Sequence, residues 1–374
     1  MRLNLRFSFQ QQPDNQLCLR MPRMGFGRRF LRGLLMLSGF LTASSGAWGF
    51  EAGWNQAWIE GRYGSQWVKG FDSREFARVM DVAADSGAKR VRFWLFEGHQ
   101  SDALVWRSSA VLDEVVALHP DFLPNLRRVV DLARARGLKL NLTLFDGNIA
   151  HFPAPNWARK NFWWNFLNDI AGTREAMRER VLVPLLDFLA TEDPAGVVDQ
   201  LDLMNEINAV TLRRHELRIE SGWTGANAWI CDWASRVRGH AASARVKWTA
   251  SVGWGDAAEM ILANQPWPSC VDFFDLHVYG DGGDIPRAAE LVAHARAHGK
   301  FIQLGEFGQA WWFESDTLQA VLTRNFLRSA EAAGFRGAMP WRLMGEANGE
   351  KFLYIKGGRV RPAWYEFQKF AQAR

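Results

Sequence analysis

Between residues 66 and 343, short apolar runs alternate with stretches whose apolar residues recur at helical spacing. The runs read QWVKGF, KRVRFWL, KLNLTLF, VDQLDLMNE, VKWTASVGW, VDFFDLHVYG, FIQLGEFG and RGAMPWRL. The helical pattern after the first runs from Asp72 or Ser73 through Ser86, puts Phe76, Val79, Met80 and Ala83 on one face, and stops at Gly87. Further helices are expected from Pro120 through Leu126, Val129, Val130 and Leu132, at about 173–189, 226–243, 257–262, 286–298 and 316–333, and after Pro362. Runs this apolar suit parallel strands buried on both faces. Eight strand–helix units in succession predict an α/β fold, a (β/α)8 TIM barrel. The alternation also permits an open doubly wound sheet, but no G-x-G-x-x-G turn follows the first strand. Long loops are expected after the second strand, as far as Pro120, and after the third, where the chain reads DGNIAHFPAPNWARKNFWWN.

Residues 1–49 read as a signal peptide. Arg28-Arg29-Phe30-Leu31-Arg32 precedes the mostly apolar GLLMLSGFLTASSG and a small-residue site at Ala47-Trp48-Gly49. The arginine pair resembles a twin-arginine leader without the usual spacer before Phe30, and Sec export fits as well. The apolar run is broken by Arg32, Ser38, Ser44 and Ser45 and falls short of the roughly 20 residues of a stable span. A periplasmic or secreted protein is therefore expected, with no stable membrane insertion once the leader is removed. That leader holds seven arginines and one acid, so although the chain's formal net charge is +5, residues 50–374 carry about −1. Nucleic acid is accordingly not an expected partner. No linker, repeat or low-complexity tract divides residues 50–374, which suit a single catalytic barrel domain, expected to be a monomer. Cys231 and Cys270 remain in it; export permits a disulfide between them, and their spacing neither requires nor forbids one.

In a barrel of this kind the C-terminal strand ends share one mouth. Those ends supply Arg92, Asp146, Asn205 with Glu206, Trp254, His277 with Tyr279, Glu306 and Trp341. Glu206 and Glu306 each end an apolar run, where a carboxylate costs several kcal/mol, about 3 or more, unless it is paired. Two carboxyl groups at one mouth form the constellation that glycoside hydrolysis uses. Asp146 reads instead as a loop or helix-capping acid, outside the catalytic set. The eight histidines are scattered, with no H-E-x-x-H motif and no Cys/His cluster, so no metal is expected. Walker and G-x-S-x-G motifs are absent from the sequence as well.

The motifs VRFW around Arg92, MNE at 204–206, the His-x-Tyr pair in LHVYG, GEFG around Glu306, and Trp341 after the last strand give the chain its resemblance. Over about residues 65–345 it resembles the retaining β-glycosidases of clan A, most closely glycoside hydrolase family 5, the cellulase and endo-β-mannanase family. The family's common histidine between the third and fourth strands has no counterpart in a matching context. The resemblance implies Glu306 as nucleophile and Glu206 as general acid/base. It also implies Arg92 and Tyr279 as partners of the nucleophile, Asn205 on the sugar 2-hydroxyl, His277 orienting a carboxyl or hydroxyl, and Trp341 as the stacking floor. The implied substrate is a β-1,4-linked polysaccharide or oligosaccharide, mannan or glucan, with no cofactor. Open alternatives are an exo-acting β-glycosidase, a hydrolase trimming an exopolysaccharide, and a carbohydrate-binding barrel without catalysis. Residues 50–374 keep 18 of the 19 tryptophans; many must be core, whereas the loop residues Trp157, Trp163 and Trp164 could stack on sugar, with at most one of the adjacent pair facing the cleft.

Overall fold

The computed structural model describes residues 49–59, 61–97, 101–109, 113–150, 159–212, 215–263, 267–309, 314–346 and 351–374. Residues 1–48 of the expected leader, and Trp157, lie outside these. The barrel strands are β1 (Glu51–Asn55), β2 (Arg90–Trp94), β3 (Lys139–Asp146), β4 (Val198–Asn205), β5 (Lys247–Thr249), β6 (Phe273–Tyr279), β7 (Phe301–Gly308) and β8 (Gly337–Pro340). Their order is β5-β4-β3-β2-β1-β8-β7-β6, and every adjacent pair is parallel. A bridge from Val252, just past β5, to Leu276 of β6 joins the two ends of the sheet. This is a closed (β/α)8 barrel.

Local chemistry accounts for the helices between the strands. Asp72 caps the helix Ser73–Asp85 by accepting from the Arg74 amide at 2.9 Å, and Phe76, Val79, Met80 and Ala83 are its buried stripe. Ser315 caps Asp316–Ala333 through the Leu318 amide, and Gly334 ends it with φ 93°. On β2, Val91 and Phe93 point outward to the helices, the Phe93 ring 5.3 Å from that of Phe76, while Arg92 points into the barrel. The polar residues inside apolar runs therefore fill the barrel axis.

Three local expectations differ from what is observed. QWVKGF is not the first strand: β1 is Glu51–Asn55, pairing with both β2 and β8, whereas residues 66–70 lie in turns closed by Gly70 N–H to Ser65 O and by Arg62 to Gly70 O. The loop after β2 contains an antiparallel hairpin, Leu104–Ser108 with Asp113–Leu118. The loop after β3 contains a helix, Lys160–Asn168. Trp163 on that helix is buried beside Phe145, Phe162 and Phe166, so it is core, and Trp164 packs half-buried on the same cluster. Cys231, on the helix Trp223–Arg238, is disulfide-bonded to Cys270 at the end of the helix Trp267–Cys270, with Cα atoms 4.8 Å apart.

Candidate active site

Arg92 is the hub of the barrel mouth. It is wholly buried, and its two terminal nitrogens reach four side chains. One donates to Asn55 Oδ1 at 2.9 Å and to Glu306 Oε1; the other donates to Asp202 Oδ2 at 2.7 Å and Asn205 Oδ1 at 2.8 Å. Burial alone would pull its pKa down, but the charges of Glu306 and Asp202 outweigh it and hold the guanidinium above its ordinary value. A planar fork suits this four-way contact in a way that a lysine ammonium would not.

Glu206 follows β4 with φ 46° and ψ 52°, a left-handed conformation that non-glycine residues rarely adopt. Hydrogen bonds on both sides hold it there: its amide donates to Ser251 Oγ at 3.0 Å, and the Ile207 amide donates to Ser251 O at 3.0 Å. Ser251 is itself fixed by Asp202, which accepts from its amide and its hydroxyl. The side chain of Glu206 then lies over Gly253, where a Cβ would fall 2.0 Å from Oε1. Asn148 Nδ2 donates to Oε2 at 2.9 Å, and His277 Nδ1 lies 3.1 Å from Oε1. These partners are neutral. Burial is the main cause that pushes the Glu206 pKa up, against the pull of Asn148 and Arg92.

Glu306, on β7, has a different setting. One oxygen takes Arg92; the other accepts from the Tyr279 hydroxyl at 2.7 Å and lies 3.5 Å from His277 Nδ1. Burial raises its pKa too, opposed by Arg92, by the Tyr279 O–H, and by His277 when that ring is protonated. Burial lowers His277 to about 4, so the imidazole is neutral near pH 7. Of the two acids, Glu306 is the one bonded to the guanidinium, and Glu206 is the one whose hydrogen-bond partners are neutral. One oxygen of each glutamate and a ring nitrogen of His277 lie within 4.8 Å of one another. That spacing would admit a cation, but Glu306 already spends both oxygens on Arg92 and Tyr279, a donor set better suited to moving protons.

Among the residues expected at the mouth, Arg92, Asn205, Glu206, His277, Tyr279 and Glu306 join one hydrogen-bonded network. Asn205 gives Oδ1 to Arg92 and one N–H to Asp146 Oδ1 at 3.0 Å, leaving its second N–H for another acceptor. Asp146 is more than a capping acid. It does accept from the Asn148 amide at 3.0 Å, but it also anchors Asn205, and burial raises it to about 6. Trp341 follows β8 with its amide on Phe307 O at 2.9 Å, next to Glu306. Its ring packs with Trp94 and Trp58, centroids 5.6 Å away in each case. Trp254 is 48% exposed, and its side chain reaches the Glu206 carboxyl. Asn55, Asn148, Asp202 and Ser251 belong to the mouth and Asp275 lies beneath it; none of the five was expected there. For Asp202 and Asp275 a signal existed: each, like Arg92, is a charged residue with an apolar neighbour on either side in its strand, Asp202 between Leu201 and Leu203 and Asp275 between Phe274 and Leu276.

No protein-family model matches the chain, and no curated protein matches it in sequence. Solved structures do match in fold. A β-1,4-D-mannanase from Cryptopygus antarcticus superposes with a TM-score of 0.61 at 15% identity, over 86% of this chain and 90% of that one. A family 5 subfamily 18 glycoside hydrolase from Streptomyces cattleya, crystallised with Manβ1-4GlcNAc, gives 0.66 at 16% identity, over 87% and 80%. An exo-β-1,4-mannosidase from Opitutaceae bacterium strain TAV5 gives 0.59 at 17%, over 87% and 59%. The chain has the (β/α)8 fold of these family 5 and mannan-cleaving hydrolases.

Proposed function

We propose that the protein is a retaining β-glycosidase acting on a β-1,4-linked polysaccharide or oligosaccharide, with mannan the first candidate and glucan the second. The cluster of Glu206, His277 and Glu306 carries the reading: two carboxyl groups with oxygens within 4.8 Å, one paired with a guanidinium and the other among neutral donors. Retaining enzymes hold their carboxyl groups about 5–5.5 Å apart and inverting ones about 6.5–9.5 Å, so the short gap favours retention.

On this reading Glu306 attacks the anomeric carbon while Glu206 protonates the departing oxygen. Glu206, now ionised, takes a proton from water, and that water releases the sugar from Glu306. Arg92 and Tyr279 keep the nucleophile charged, the remaining Asn205 N–H meets the sugar 2-hydroxyl, and Trp341 is the floor beneath the ring. The residues do this without a cofactor. Mannan comes first because the matching structures above are of a β-1,4-mannanase, an exo-β-1,4-mannosidase and a hydrolase holding the mannoside Manβ1-4GlcNAc. Export to the periplasm or beyond agrees with the disulfide, and the barrel acts as a monomer.

Hydrolysis of β-mannan, glucomannan, carboxymethylcellulose, mixed-linkage glucan and xylan, followed by reducing ends and product lengths, tests the substrate. Activity on mannan and glucomannan with a ladder of oligomers is expected. A single monosaccharide product would replace endo with exo action, and silence on the whole panel from folded protein would overturn the substrate assignment.

A further inference from the structure

Below the two glutamates, inside the barrel, lies another carboxyl group that the mechanism above does not use. Asp275 is fully buried on β6, two residues before His277. Its Oδ2 accepts from Gln303 Nε2 at 2.7 Å, and Gln303 Oε1 in turn accepts from Gln200 Nε2 at 3.1 Å. Among the described residues its Oδ1 has no hydrogen-bond partner, and neither has His277 Nε2. These two atoms face one another at 3.9 Å, about 1 Å beyond a hydrogen bond, so a hydrogen bond between them requires one side chain to turn toward the other. Gly305 on β7 makes room for the carboxyl, since a Cβ there would fall 1.8 Å from Oδ1.

We propose that Asp275 is a positioning residue: as a neutral carboxylic acid it donates its proton toward His277 Nε2 and so fixes the imidazole hydrogen on Nδ1, between the two glutamates. The inference rests on the glycosidase reading for its purpose, but not for its geometry. Two buried polar atoms without partners are each costly, and a proton on Oδ1 satisfies both. The charges around Asp275 favour the neutral form. Among the described residues Arg92 on β2 is the main cation acting on it, and it is already bonded to Asp202 of β4 and Glu306 of β7, while His277 on its own strand is neutral. A third anion beside one guanidinium is disfavoured, and burial first, then Asp202 and Glu306, push Asp275 up to about 8. With its hydrogen fixed, Nδ1 lies 3.1 Å from Glu206 and 3.5 Å from Glu306. It can donate to either carboxylate as the negative charge passes between them during double displacement.

The test is nitrogen NMR of the purified protein labelled at histidine, with His277 assigned by the loss of its signals in His277→Gln. Below the Asp275 pKa of about 8, the expected spectrum has hydrogen on Nδ1 and none on Nε2. Above it, ionised Asp275 becomes an acceptor and the hydrogen moves to Nε2. Asp275→Asn can still donate but cannot ionise, so its Nδ1–H form should persist through the alkaline range. Hydrogen on Nε2 at neutral pH in the parent protein would overturn the proposal even if the variant does not fold. The same alkaline change in Asp275→Asn as in the parent would also overturn it. Because the spectrum is read without substrate, the expected spectrum from a protein inactive on every glycan would sink the glycosidase reading alone.

Discussion

Arg92 is the residue on which the mouth depends, because one fully buried cation pairs with two buried carboxylates and also orients Asn55 and Asn205. Removing one partner of a buried pair strands the other, at a cost of roughly 3–5 kcal/mol. Arg92→Met keeps most of the volume and loses the charge, and urea denaturation should show a fall of about that size. A loss under about 1 kcal/mol would mean that the pairing contributes little. The pH profile should shift in a defined direction. Without the neighbouring positive charge Glu306 holds its proton more tightly, so the acid limb of kcat/KM moves to higher pH. With Glu206 as the proposed acid, the alkaline limb should follow its raised pKa, with activity lost as pH rises through that value.

At the level of the elements, the site depends on where each strand stops and on which backbone comes close. The segment after β5 shows this best, since Ser251 supports the left-handed turn at Glu206 and Gly253 leaves space for its carboxyl. Gly253→Ala would put a methyl group on Oε1, and a displacement of about 1 Å at a reacting group can cost about 100-fold. Turnover should therefore fall by at least about that factor, with the melting temperature little changed; wild-type turnover would show that Glu206 is not held where the structure puts it. The same elements explain how much could be read from the sequence. Seven of the eight barrel strands carry apolar runs that announce themselves, and Glu206 and Glu306 stand out because they end two of them. β1 was not legible: EAGWN is five residues long, and its strand character comes from pairing with β2 and β8 rather than from its own pattern. The helix Lys160–Asn168 was hidden because its aromatic residues pack on Phe145 of β3, a contact that no local periodicity reveals. Asn148 and Ser251 were beyond sequence reasoning for a related reason. Their roles come from hydrogen bonds to Glu206 across 58 and 45 residues.

The described residues from 49 onward form a closed barrel whose axis is polar from the mouth inward: Arg92 and Asp202, then Asp275, Gln303 and Gln200. Closing the sheet through the Val252–Leu276 bridge brings Gly253 and Ser251 beside Glu206, and His277 between the two acids. The disulfide between Cys231 and Cys270 ties together helices on the outer side of that seam. The central claim is that Glu306 is the nucleophile and Glu206 the acid/base of a double displacement. It is tested most directly by Glu306→Ala and Glu206→Ala on an activated aryl β-glycoside, with and without azide, reading the configuration of any glycosyl azide formed. Both variants should lose orders of magnitude in turnover without azide. With azide, Glu306→Ala should give the α-glycosyl azide, and Glu206→Ala should release its trapped intermediate as the β-glycosyl azide. Near-normal turnover in either variant, or the two azide products exchanged, would contradict the assignment.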